Sequence, residues 1–179
     1  MTASTFLKYA LTCALLLPSV GCHSKSAPTS ENFIQGLNKH FLDHPDCLLS
    51  NIQFPYETTN PKETAQMDTL VKSQLLDKTV EMAIHVSRYT VTTVGTRYAP
   101  RFCYGHRTVN AIDHFTPPTL ANGFKETQVT YSYSMEEGPV WAKSSYVLAA
   151  FPAMAQVTSG HATGVATLAQ TPVGWQVPD

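Results

Sequence analysis

Residues Thr127 to Met135 constrain the fold of this chain more than any other stretch. Val129, Tyr131, Tyr133 and Met135 alternate with Thr130, Ser132 and Ser134. Period-two alternation of large apolar and small polar side chains defines a strand with one face in a core and one face in water. Such a strand needs at least one paired strand and a layer over its apolar face. Everything else in the sequence has to supply them.

Helical spacing comes first along the chain. Ser30 is placed to cap a helix, with Glu31 in its first turn and Phe33, Ile34, Leu37 and Phe41 along one apolar stripe. Gly36 weakens that helix and Pro45 ends it. Cys47 to Phe54 reads as a short strand. Asn60-Pro61-Lys62-Glu63 is a helix start with a cap, a first-turn proline and a glutamate three residues after the cap. Met67, Leu70, Val71 and Leu75 carry that helix to about Leu76, and Val80, Met82, Ile84 and Val86 then alternate as a strand with one buried face. Strands are expected from Phe102 to Ile112, broken by Thr116-Pro117-Pro118, and as a pair from Ala162 to Val177 with Trp175 turned inward. Trp141 to Phe151 reads as a short helix stopped by Pro152. Helices lead and hairpin-spaced strands follow. This order predicts a single compact α+β domain over residues 31–179, its helices packed on a mainly antiparallel sheet. The stretch from Asn60 to about Gly95, a capped helix followed by a strand pair, resembles the end of a winged-helix unit. That resemblance implies no DNA binding for an exported chain.

The first 21 residues read as an export signal. Lys8 precedes the apolar run from Tyr9 to Leu17, followed by Pro18 and the small residues Ser19-Val20-Gly21. The apolar run is too short to span a bilayer. The Cys22 that follows resembles the lipobox of bacterial lipoproteins, with Ser19 where that family usually carries Leu. The resemblance implies cleavage before Cys22, acylation of its thiol and anchoring in the cell envelope. Because His23, not Asp, follows the cysteine, it implies the outer membrane, facing the periplasm, in a host with two membranes. Ordinary cleavage at the small residues, leaving a soluble exported protein, is the alternative. His23 to Ser30, small and polar with Pro28, reads as a flexible tether.

Formal charge is −1 over the whole chain, and losing Lys8 makes it one unit more negative. That balance excludes a general nucleic-acid binder. Cys13 leaves with the leader, so Cys47 and Cys103 remain in an oxidising compartment. They are expected to form one disulfide. A reactive thiol with His44 or His106 as its partner is the competing reading.

Candidate chemistry is sparse. His40 and His44 stand four residues apart, near Asp43 and Asp46, but without the HExxH pattern. Asp113-His114 lacks a nucleophile elbow. Glu136-Glu137 are turn neighbours rather than carboxylates facing across a bond. No phosphate loop, dinucleotide fingerprint or CxxC pair occurs, so no cofactor or metal is expected. Arg97, Arg101 and Arg107, interleaved with Tyr98 and Tyr104, form a basic-aromatic stretch suited to an envelope protein or an anionic glycan. The leading expectation is a non-enzymatic envelope lipoprotein that binds a partner. The alternatives are a small exported hydrolase or metal enzyme using His40, His44, His106 or His114, and an inhibitor of a secreted enzyme.

Overall fold

The computed structural model describes residues 24–160 and 162–178; the leader and Cys22 lie outside the described residues. Among these, four α-helices and nine strands form an α+β domain with mainly antiparallel sheets.

Helix α1 (Ser30–Asp43) turns Phe33, Leu37 and Phe41 into the core. Its cap is Thr29, one residue earlier than expected, whose hydroxyl accepts from the Asn32 N–H at 3.3 Å. The main sheet runs in the order β1 (Asp46–Cys47), β5 (Cys103–Phe115), β7 (Phe124–Glu136), β8 (Ala162–Thr171) and β9 (Gly174–Gln176). Short β6 (Thr119–Ala121) pairs with the start of β7, where the Thr116-Pro117-Pro118 break has ended β5. The alternation of β7 is as expected: Val129, Tyr131 and Tyr133 are buried against α1, and Trp175 joins them.

A second sheet has the order β2 (Tyr56–Thr58), β4 (Val86–Val91), β3 (Leu76–Glu81) and packs with α2 (Pro61–Lys72). Asn60 caps α2 as expected, its side chain accepting from the Lys62 N–H at 2.9 Å. Glu63 does not reach back to the cap. It accepts from the Tyr56 and Thr58 hydroxyls, and Thr58 Oγ1 in turn accepts from the Asn60 N–H. A relay through β2 therefore replaces the direct capping box, and these bonds hold the Glu63 carboxyl below its usual range.

Three local expectations are corrected. Of the first expected strand, Cys47 to Phe54, only Cys47 joins the main sheet, together with Asp46 before it. Val80 to Val86 is not one strand: β3 and β4 are joined by a turn, and Met82 and Ile84 are 71% and 63% exposed. The alternation there runs across a hairpin tip, and its apolar face points to water. The helix expected from Trp141 to Phe151 starts later: a 3₁₀ turn, Val140–Lys143, precedes α3 (Ser145–Ala150), which ends before Pro152 as expected. Pro152 then opens a further helix, α4 (Pro152–Val157), because a proline at the first helical position loses no intrahelical bond. The Asn60–Gly95 stretch holds α2, which lies between β2 and β3, and the β3–β4 hairpin, to which β2 adds a third strand.

Candidate functional site

The disulfide decides the local geometry. Cys47 and Cys103 are joined as expected, directly opposite each other on β1 and β5. Pinning β1 there fixes Asp46 beside β5. Arg107, four residues further along β5, meets it with two bonds: Nε and Nη2 each donate to a different Asp46 oxygen at 2.9 Å. The guanidinium lies against the rings of Tyr133 and Phe41, at 4.9 and 5.4 Å from their centroids. Its neighbours, Asp46 foremost, raise its pKa against the opposing effect of burial.

The basic-aromatic stretch is therefore not one surface. Arg97 and Arg101 are exposed, near the short helical turn Gly95–Arg97. Tyr98 is half-buried, edge-on to Trp141 with ring centroids 5.8 Å apart. Tyr104 is buried, and burial pushes its hydroxyl up to about 12. Arg107 belongs to the layer between α1 and the main sheet. Counting cations in a window of sequence could not separate these environments, because the partner of Arg107 is 61 residues away.

The histidines also separate. His40 and His44 stack at the last turn of α1 with ring centroids 4.3 Å apart. His44 Nδ1 is 2.9 Å from the His40 carbonyl, so it carries the proton and donates. His106 Nδ1 is 3.7 Å from a Glu137 carboxylate oxygen. His114 is exposed eight residues further along β5, roughly 25 Å from His106 along an extended chain. Those two cannot share one pocket. Among the described residues no group of three or more His, Cys, Asp or Glu is placed to hold a metal ion.

What the fold does bring together is a groove at the rim of the main sheet. One part, about 400 Å³, opens where α1 parts from the sheet; His40, Phe41, Arg107 and Tyr131 form its floor, and Val165 to Thr167 of β8 form its lip. A neighbouring part, about 440 Å³, runs between α1 and the β9 region and is lined by Lys25, Lys39, His44 and Trp175. His40 and Val177 line both. The groove depends on a close approach: a Cβ on Gly36 would lie 2.1 Å from the Trp175 carbonyl oxygen. The glycine lets α1 lie against β9 and sets the width of the channel.

The segment read as a free tether is held at the same end of the domain. Gln170 Nε2 donates to the Ser26 carbonyl at 2.7 Å, and Trp175 Nε1 donates to the Ala27 carbonyl at 3.1 Å. Asn32 Nδ2 donates to the same Ala27 carbonyl at 2.8 Å. No protein-family profile, curated protein or solved structure matches this chain.

Proposed function

We propose that this chain is a non-enzymatic lipoprotein of the cell envelope, anchored through acyl groups on Cys22, that binds another envelope protein. The observation that carries the reading is the rim groove. It is concave, combines aromatic and aliphatic walls with basic side chains, and lies beside strand residues that are open to solvent. Binding sites have this mixture of apolar area with a few orienting polar groups.

The pinned tether supports the same reading. From Cys22 to the bond at Ser26 the chain has four residues of reach, on the order of 14 Å when extended. A lipid on Cys22 would hold the groove end of the domain close to the bilayer, where the partner would be a neighbour in or on the same membrane. The test is photo-cross-linking in living cells, with the reactive residue placed at Thr167 in the groove lip and, separately, at Met82 on the remote hairpin. Capture of one dominant envelope protein from Thr167 is expected. Absence of any captured protein from either position, with the protein verifiably in the membrane fraction, would sink the binding reading.

A further inference from the structure

Three exposed apolar side chains gather at one end of the main sheet. Leu120, Phe124 and Val173 are 80%, 50% and 67% exposed. They stand in or beside two turns: Asn122-Gly123 joins β6 to β7, and Pro172-Val173 joins β8 to β9. Register puts these turns side by side. Glu126 of β7 pairs with Ala169 of β8, and the strands are antiparallel. The first turn lies just before Glu126 and the second just after Ala169, so both close at the same end of the sheet. Each turn is built to keep its shape. Asn122 and Gly123 both have positive φ, 50° and 81°, as a two-residue hairpin turn of this kind requires. Thr171 Oγ1 donates to the Gly174 carbonyl at 2.8 Å and accepts from the Val173 N–H at 3.3 Å.

The apolar side chains at this end do not share a face. Leu120 stands opposite Lys125, so it lies on the side of the sheet that buries Thr127 and Val129. Phe124, one residue before Lys125, lies on the other side. A layer laid on one face of the sheet covers one of them and leaves the other wet. A surface met end-on covers both, together with Val173 in the neighbouring turn.

The chain enters the domain at this same end. Ser26 and Ala27 are bonded to Gln170 and Trp175, and Lys25 packs against Gly174, where a Cβ would lie 3.7 Å from the Lys25 Cβ. From Lys25 back to Cys22 the chain reaches on the order of 10 Å at full extension. An acyl group on Cys22 therefore keeps the paired turns within about one headgroup layer of the lipid. The charges suit that neighbour. Lys25 and Lys125 pair with no carboxylate among the described residues. Glu126, the next residue along β7, is engaged by Asn122 Nδ2 at 3.1 Å. Lysines beside exposed apolar side chains meet lipid phosphates while the apolar groups enter the layer beneath.

We infer that this end of the main sheet inserts into the headgroup layer of an anionic bilayer: Leu120, Phe124 and Val173 enter it, and Lys25 and Lys125 lie on lipid phosphates. This rests on the anchored-lipoprotein reading above. Three apolar side chains hold a free protein weakly. An anchor a few residues away makes the contact intramolecular, and a weak contact is then enough to fix orientation. The groove begins at this end, with Lys25 and Val173 in its lining, and runs along α1 to His40 and His44. Seated in this way, the domain would present the groove leading up from the membrane surface.

The test supplies the anchor by chemistry. The chain from residue 22 onward has one thiol outside the disulfide, Cys22, which is coupled to a maleimide lipid in vesicles of phosphatidylglycerol and phosphatidylethanolamine. A phospholipid with a photoreactive group high in its acyl chain then labels whatever enters the layer, and peptide mapping locates the label. Label is expected to concentrate at residues 119–125 and 172–174. Leu120→Asp with Phe124→Asp should lower it about tenfold with thermal stability unchanged, since both side chains are exposed. Lys25→Glu with Lys125→Glu should lower it in these vesicles but not in phosphatidylcholine vesicles. Met82→Asp, on the hairpin of the second sheet, should leave it unchanged. Label spread evenly over the domain, or concentrated at Met82 and Ile84, would overturn the inference. So would label indifferent to the Leu120 and Phe124 replacements or to the lysine replacements, or paired turns found cross-linked to a second copy of the chain. None of these outcomes depends on acylation in cells. Membrane fractionation of Cys22→Ser tests the natural anchor separately, so either reading can fall while the other stands.

Discussion

Arg107 and Asp46 face each other across the paired strands β5 and β1, with both Asp46 oxygens engaged by the guanidinium at 2.9 Å. The pair is partly buried, with side chains 26% and 19% exposed, and stands over the rings of Tyr133 and Phe41. A planar fork satisfies this geometry and an ammonium does not. Asp46→Ala is expected to cost about 2 kcal/mol in stability, as for a charged hydrogen bond removed from a half-buried site. Arg107→Lys should recover little of the interaction. Urea denaturation of both single variants and the double variant measures the coupling. A coupling near zero would mean that the pair contributes nothing beyond its separate members.

Because Arg107 is structural in this sense, replacing Arg97, Arg101 and Arg107 together would confuse binding with folding. The informative variant is Arg97→Ala with Arg101→Ala. Both side chains are exposed, so thermal stability should stay within about 0.5 kcal/mol of the parent. If the cross-linked partner is retained undiminished, the exposed arginines take no part in holding it.

The disulfide positions Asp46 as well as closing a loop. Replacing Cys47 and Cys103 together by Ser removes a cross-link spanning 56 residues, which chain entropy places at about 3–4 kcal/mol. The loss should be accompanied by a weaker Asp46–Arg107 coupling in the same double-variant cycle. Equal coupling with and without the disulfide would show that β1 holds its register unaided.

The parts of the fold legible in the sequence are those decided locally. The strand centred on Tyr131 announces itself because one of its faces is buried throughout, and Asn60-Pro61 because a cap involves only neighbours. The Val80–Val86 alternation misled because a hairpin tip can continue period two while facing water, and only the position of the sheet tells the two apart. Gly36 read as a weak point in a helix, whereas its role lies across the domain at Trp175. His40 and Arg107 were both visible as candidates, but in separate motifs. They share a groove only because α1 crosses the sheet, a contact between residues far apart in sequence.

Gly36 gives a prediction with a sign opposite to helix propensity. In an exposed helix interior, Gly→Ala stabilises by about 1 kcal/mol. Here the added methyl would meet the Trp175 carbonyl, a backbone atom with no rotamer to escape into. Gly36→Ala should therefore destabilise by about 1–3 kcal/mol, as overpacking does. Stabilisation on thermal melting would show that α1 and β9 are not in close contact.

Tyr104 supplies a pH dependence. Its hydroxyl ionises near 10 in an unfolded chain and at about 12 in the fold, where burial opposes the charge and Asp46 adds repulsion. Below pH about 10 both states keep the proton and the favourable difference is fully present. As pH rises further, the unfolded chain loses its proton first and the native state loses that advantage progressively, through about 12. Stability should therefore fall across this alkaline window, and Tyr104→Phe should make the fall shallower. It should not abolish it, because burial also raises Tyr89 and Tyr131. Urea denaturation at a series of alkaline pH values, with phenolate absorbance followed in parallel, measures both quantities. An unchanged slope in Tyr104→Phe would mean that the Tyr104 hydroxyl titrates as freely in the native state as in the unfolded chain.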